Sequence, residues 1–209
     1  VAVTEAAVET EAFNTLFTTR RPVAVRTLAR RLRASVTAVE TALAGIERDG
    51  HLLRDPDGAV AAVAGLSVLP TRHEFVIAGV TRWTWCAWDA LGLVTVTGRG
   101  GLVRSTSPQS GAGIMVRFDG RRVVPSPAQT VLLFADRPEC CVTVRDWCPN
   151  VNLFESADVA RAWMDGHDVT GELQDVGKAG RDCADYYWPL LRPSAAKPWW
   201  RGLLRAVTP

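Results

Sequence analysis

The chain has 209 residues, with 24 basic and 22 acidic side chains and a net charge of only +2. Such a balance gives no reason to expect a polyanion or an anionic membrane as the main partner. Apolar residues make up 47%, enough for one medium domain or a small domain fused to a larger one, and no apolar run approaches the roughly 20 residues that cross a bilayer. The first residues, Val1 to Phe17, carry three glutamates and no basic start, which argues against a secretory leader and for a cytoplasmic protein. In a reducing compartment most of the five cysteines are expected as free thiols.

In chain order, residues 5–18 read as a helix with Ala6, Ala7, Phe13, Leu16 and Phe17 on its apolar side. Pro22 interrupts, and residues 25–33 form a short basic helix. Ser35 caps a third helix that carries Val39, Leu43 and Ile46 and stops at Asp49-Gly50. A hairpin is expected over 51–64, turning at Asp55-Pro56-Asp57-Gly58. Three helices followed by a hairpin make a winged-helix-like pattern over 1–64. Arg20, Arg21, Arg26, Arg30, Arg31 and Arg33 could meet phosphates, but the third helix presents Ser35, Thr37, Ala38, Thr41, Ala42 and Ala44. Specific nucleic-acid binding is therefore not expected.

From residue 65 the texture changes. Leu66–Leu69 and Glu74–Ile77 look like strands, Trp83–Leu91 like a helix ended by Gly92. The segments at 94–96, 102–103, 114–116, 123–124 and 131–134 then alternate with Gly/Pro/Ser turns. These predict a mixed, mostly antiparallel sheet. Ser156 caps a later helix through Val159, Ala162, Trp163 and Met164. After Gly166 the pattern weakens, and the tail with Pro193, Pro198, Trp199 and Trp200 is expected to be irregular. The fold class is α+β, with a helical winged-helix-like unit over 1–64 and a sheet domain over 65–209.

Two short motifs carry the chemistry. In Trp85-Cys86-Ala87-Trp88-Asp89, the thiol and the carboxylate stand at i and i+3 and face the same way if the segment is helical. Two partly buried acids raise each other's pKa, which is a poor choice for stability. It is a good choice if the carboxylate must take a proton from a thiol and later hand it on. Cys148, in Trp147-Cys148-Pro149-Asn150-Val151-Asn152-Leu153-Phe154, offers a second sulfur, and two thiolates suit a soft metal or soft electrophile. Four of the eight tryptophans, Trp83, Trp85, Trp88 and Trp147, flank these motifs. They are either core packing or the wall of a dry pocket.

These motifs resemble those of the organomercurial (alkylmercury) lyases. The similarity runs from Arg21-Pro22-Val23 and Thr27-Leu28-Ala29 through Gly65-Leu66-Ser67-Val68 and Phe75 to Trp85–Leu91, and on through Cys148–Ser156 to about His167. The resemblance implies a winged-helix-like domain packed on a mixed, largely antiparallel sheet with flanking helices. It also implies that Cys86 and Cys148 are the catalytic thiols and hold the Hg(II) product, and that Asp89 is the catalytic aspartate. The implied reaction is protonolysis of a carbon–mercury bond to a hydrocarbon and Hg(II), serving mercury detoxification. No organic cofactor is expected. The implied partners are a small organomercurial substrate and, for Hg(II), cellular thiols or a mercuric reductase. Trp83, Trp85, Trp88 and Phe154 are candidates for the substrate pocket. A cysteine that some family members carry midway falls near Ser107 here, and one that follows the later cysteine is Pro149. Cys140-Cys141 lies outside the extended match, and Cys183 reads as structural. Two other readings compete: a lyase-like protein that holds a soft metal or organometal without cleaving it, or acts on another substrate, and a winged-helix metal sensor. A holder needs thiolates but no proton shuttle, so Asp89 counts against the first. The weak recognition helix and the large sheet domain count against the second.

Overall fold

The structure, a computed structural model, describes residues 3–120, 122–137 and 142–191. Three helices open the chain: α1 (Glu5–Thr19), α2 (Val25–Leu32) and α3 (Val36–Arg48). Thr4 and Ser35 cap α1 and α3 by accepting from the backbone N–H of Ala7 at 3.2 Å and of Ala38 at 3.1 Å. The inward faces, among them Val8, Phe13, Leu16, Leu28, Val39 and Leu43, are fully shielded. This is the packing that the helical spacing requires.

The hairpin β1 (Leu52–Arg54) and β2 (Val60–Val63) follows. It does not stand apart as a wing. It forms the edge of an eight-stranded sheet with β3 (Leu66–Ser67), β4 (His73–Ile77), β5 (Val80–Thr84), β6 (Gly101–Thr106), β7 (Gly113–Phe118) and β8 (Val123–Ser126), in the order β1-β2-β3-β5-β4-β6-β7-β8. The expected boundary at 64/65 falls in the β2–β3 turn, and the pairs Ala62↔Ser67 and Val63↔Leu66 join the two sides of it. A second sheet, β10-β9-β11, is built from β9 (Val131–Ala135), β10 (Asn152–Phe154) and β11 (Gly171–Asp175). Every strand pairing among the described residues is antiparallel. One apolar core runs through helices and large sheet, with a smaller one around Leu133, Phe154, Ala160 and Trp163 under α5 (Ala157–His167). No described helix is long and apolar enough to cross a membrane.

Three expectations are corrected. Trp83 is in strand β5, not in a helix; the helix α4 spans Ala87–Val96. Gly92 does not end it, and Val94-Thr95-Val96 is its last turn rather than a strand. The reason is tertiary. The helix α6 (Val176–Leu191) packs so closely on α4 that a Cβ at Gly92 would overlap the side chain of Cys183. Glycine is there for close approach, and packing outweighs its weak helix propensity. Finally, β11 and α6 occupy a stretch whose periodicity looked weak. The tail from Pro193 and the pair Cys140-Cys141 lie outside the described residues.

The α4–α6 contact predicts that Gly92→Ala destabilises the fold by about 1–3 kcal/mol, the usual cost of overpacking. Adding Cys183→Ala should return part of that loss. Urea unfolding of the parent, both single variants and the double variant measures the coupling; strictly additive effects would contradict the contact.

Candidate functional site

Strand β5 delivers the chain to the site. Thr84 Oγ donates to the carbonyl of Cys86 at 2.8 Å, and the Trp85 N–H donates to the Gly65 carbonyl at 2.8 Å. Cys86 then takes the N-cap position of α4, in extended conformation, and Asp89 falls in the first turn. The Cys-x-x-Asp spacing is thus that of a capping box. Its reciprocal half is present: the Asp89 carboxyl receives a hydrogen bond from the Cys86 backbone N–H. The thiol uses the same geometry and donates to Asp89 Oδ2 at 3.0 Å.

The second motif arrives by a different route. After β9, a π-helical turn (Thr143–Trp147) runs into a 3-10 turn (Cys148–Asn150). The Val151 N–H closes that turn on the Cys148 carbonyl at 3.1 Å, and the Val151 carbonyl accepts from the N–H of Ala87 at 3.1 Å. That bond ties the start of α4 to the end of the second motif. Asn152 braces the turn, donating to the Pro149 carbonyl at 2.6 Å and accepting from Arg72 at 3.2 Å.

The outcome is a compact buried cluster. One ligand atom each from Cys86, Asp89 and Cys148 lie within 4.8 Å of one another. Their exposures are 0%, 6% and 2%, so the reactive atoms are removed from bulk water. Burial is the largest influence on both acids of the first motif. It raises the Asp89 carboxyl to about 6, against an ordinary 3.8, although bonds from the Cys86 thiol, Tyr187 and the Cys86 N–H pull the other way. Burial also pushes the Cys86 thiol well up, helped by its bond with Cys148 and the charge of Asp89. In the free site the thiol therefore keeps its proton, and the carboxyl beside it is raised toward the range where it can accept and donate a proton near neutral pH.

A cavity of about 150 Å³ opens beside the cluster, lined by His51, Ala64, Gly65, Trp85, Trp88, Asp89, Arg137, Thr143, Trp147, Cys148 and Tyr186. Its wall is aromatic. Trp88 packs against Phe134 and Tyr186 with ring centroids 5.4 and 5.8 Å apart, and Phe134 meets Trp147 edge-on at 5.3 Å. Trp147 is fixed by donating to the Ala135 carbonyl at 2.8 Å. One side is polar: Arg137 donates to Thr143 Oγ at 2.8 Å, and the His51 ring lies 3.3 Å from the same hydroxyl.

Of the residues expected from sequence, Cys86, Asp89 and Cys148 come together, and Trp85 and Trp88 line the cavity. Trp83 and Phe154 are placed elsewhere. Trp83 sits on β5 opposite Glu74 and Ser67, because strand alternation turns it away from its neighbours. Phe154 is buried in the smaller core, 5.6 Å from the Trp163 ring. Sequence reasoning missed Tyr187, whose hydroxyl lies 2.8 Å from Asp89 Oδ1, along with Tyr186, His51, Arg137 and Thr143. The only signal for Tyr187 was the pair Tyr186-Tyr187 in a segment that looked irregular. Cys183 is buried against Gly92, outside the three-residue cluster.

Comparison with known proteins agrees with this geometry. The family model for alkylmercury lyase matches residues 66–185, more than half of the chain, and includes both cysteines and the aspartate. The chain belongs to the alkylmercury lyase family. Alkylmercury lyase of Staphylococcus epidermidis is 32% identical over 138 residues, covering 64% of this chain and 62% of that protein. The chain thus spans less than two thirds of that relative. Alkylmercury lyase of Streptomyces lividans is 27% identical over 164 residues, 77% and 74% of the two chains, and that of Pseudomonas putida 30% over 166, 75% and 76%. The crystal structure of the mercury-bound form of MerB2 superposes with a TM-score of 0.79 at 19% identity, covering 88% of this chain and 91% of that one, which establishes the shared fold.

The raised carboxyl of Asp89 has a consequence for stability. Between pH 3.8 and about 6 the folded state holds a proton that the unfolded chain has released, so stability falls as pH rises through that window and stays lower above it. Asp89→Asn removes the effect. Relative to the parent, its melting temperature should rise from about pH 4 to about pH 6 and level off above about pH 7. A margin independent of pH would show that Asp89 ionises in the fold as it does in water.

Proposed function

We propose that this chain is an organomercurial lyase that cleaves carbon–mercury bonds by protonolysis, giving a hydrocarbon and Hg(II). The observation that carries the reading is the buried Cys86–Asp89–Cys148 cluster. Two thiols supply ligands for a soft metal. The carboxyl between them supplies what a mere metal holder would not need, a group that accepts a proton and later donates it.

The chemistry follows from the positions. An organomercury cation enters as its adduct with a small thiol; the Cys148 sulfur displaces that thiol from mercury, and the thiol leaves carrying the Cys148 proton. The Cys86 S–H bond breaks, its electron pair stays on sulfur, and the proton passes to Asp89 Oδ2, 3.0 Å away. Two thiolates on mercury push electron density toward carbon and weaken the bond. Asp89 then gives its proton to that carbon, and the carbon–mercury electron pair becomes the new C–H bond. Hg(II) remains on Cys86 and Cys148 until cellular thiols or a mercuric reductase remove it. No organic cofactor enters any step. Burial matters here: it raises the Asp89 carboxyl to about 6, closer to the pH at which it must take a proton and give it up.

The cavity suggests the organic group. An apolar space of about 150 Å³ is the size that accommodates benzene. Trp85, Trp88, Trp147 and Tyr186 would therefore take groups from methyl to phenyl.

The first three helices and the β1–β2 hairpin form a winged-helix-like scaffold in this reading, without a nucleic-acid role. On α3, Glu40 and Glu47 are exposed and pair with Arg54 of the hairpin at 2.9 and 3.0 Å, so this helix carries acidic side chains that phosphates would repel. Only weak association lost at moderate salt is expected. A salt-resistant, sequence-selective shift at sub-micromolar protein would revive a regulatory reading.

The central test is a single turnover with stoichiometric phenylmercury and excess thiol, measuring bound mercury and released benzene separately. Cys86→Ser and Cys148→Ser should each abolish release. Asp89→Asn should still bind mercury but release benzene at least ~10²-fold more slowly, the low end for a positioned acid–base group. Binding without release in the parent protein would make it a soft-metal holder.

A further inference from the structure

Tyr187 is fully buried on α6, its ring held 5.7 Å from that of Phe13. It lies just past the segment that matches the family model. Its hydroxyl is 2.8 Å from Asp89 Oδ1 and 2.8 Å from the carbonyl of Ala64. A hydroxyl has one proton, and a carbonyl can only accept. When Asp89 is ionised, the Tyr187 proton serves Oδ1. The Tyr187 hydroxyl could turn wholly to Ala64 only if Oδ1 carried a proton of its own to donate. The turn between β2 and β3 is shaped around this contact. Ala64 and Gly65 both have left-handed backbone conformations, with φ of 46° and 82°, and a Cβ at Gly65 would overlap both the Tyr187 hydroxyl and the Asp89 carboxyl.

We propose that Tyr187 is a positioning residue for proton transfer: by donating to Oδ1 it confines the mobile proton of Asp89 to Oδ2, the oxygen that faces Cys86. The proposal rests on the reading of Asp89 as the shuttle. In that reading the proton leaves Cys86 sulfur for Oδ2 and later leaves Oδ2 for carbon, each time with the bonding pair staying on the atom it leaves. Tyr187 keeps its own proton throughout. A carboxylic acid protonated on the wrong oxygen would have to rotate before it could reach the substrate, and Tyr187 removes that step. It also aligns the carboxyl plane with the thiol, which a carboxyl anchored only by its own helix turn would not secure. Helix α6 is thereby part of the reaction apparatus, not just a cover for α4.

The test uses the full chain as parent, Tyr187→Phe and Asp89→Asn. The phenylalanine keeps the ring against Phe13 and removes only the hydroxyl. In single turnover with stoichiometric phenylmercury, Tyr187→Phe should capture mercury one-to-one like the parent yet release benzene roughly tenfold or more slowly, as expected when a hydrogen bond to a charged group is lost. A purely structural role would change capture and release together. A second measurement needs no change at position 187. The sequence holds two tyrosines, so ¹³Cζ-tyrosine labelling gives two signals, which Tyr186→Phe assigns. Asp89→Asn should move the Tyr187 signal more than that of Tyr186. Release by Tyr187→Phe within twofold of the parent, or a Tyr187 signal indifferent to Asp89→Asn, overturns the proposal while leaving the lyase reading intact. If Tyr187→Phe does not fold, the labelled signal decides. A parent that releases no benzene, or an Asp89→Asn variant that releases it as fast as the parent, overturns the shuttle reading and this proposal with it.

Discussion

The free energy of ionising Asp89 governs the site. The carboxyl is 6% exposed, and burial favours its protonated form. Three donors oppose that: the Cys86 thiol, the Tyr187 hydroxyl and the Cys86 backbone N–H. Position in the first turn of α4 also favours the charged form, because the helix dipole is positive there. The balance settles at about 6. A carboxyl far below that value would hold no proton to give at neutral pH, and one far above it could not take a proton from a thiol. The surrounding structure acts mainly by setting this balance: α4 supplies the N–H, β5 the approach of Cys86, and α6 the tyrosine.

Bringing the second sulfur to the same place is a separate problem. Cys86 and Cys148 are far apart in sequence, and no local rule makes them neighbours. The bond from the Ala87 N–H to the Val151 carbonyl does much of it, since it joins the first residue of α4 to the residue that closes the turn after Cys148. The donor is one of the backbone N–H groups that a helix start leaves without an intrahelical partner. The second motif thus satisfies the helix it docks on, and the docking places a thiol against the carboxyl.

Much of this was legible in the residues, and the limits have physical causes. The helices over the first 48 residues could be drawn from spacing and capping at Ser35 because local propensity and packing agree there. The two cysteine motifs stood out because a thiol three residues from an acid is hard to explain as packing. The start of α4 was misplaced because Trp83 and Trp85 fit a helix as readily as a strand, and its end because Gly92 serves the contact with Cys183 rather than a turn. Trp83 and Phe154 were sensible candidates for a pocket wall, but facing direction depends on register, and proximity in sequence does not report it. Tyr187 could not have been found: its role depends on α6 folding back over α4, a long-range event that leaves no local pattern. The family resemblance was strongest where chemistry restricts residue choice, around Cys86, Asp89 and Cys148.

In the proposed reaction the two cysteines and the aspartate act on one mercury atom and strip it of carbon. Mercury-edge X-ray absorption on the parent protein, loaded with stoichiometric methylmercury and allowed one turnover, tests it directly. The expected result is a mercury with two sulfur neighbours and no carbon, a signature lost when either Cys86 or Cys148 is replaced by serine. A mercury that keeps its carbon and one sulfur after prolonged incubation would contradict it.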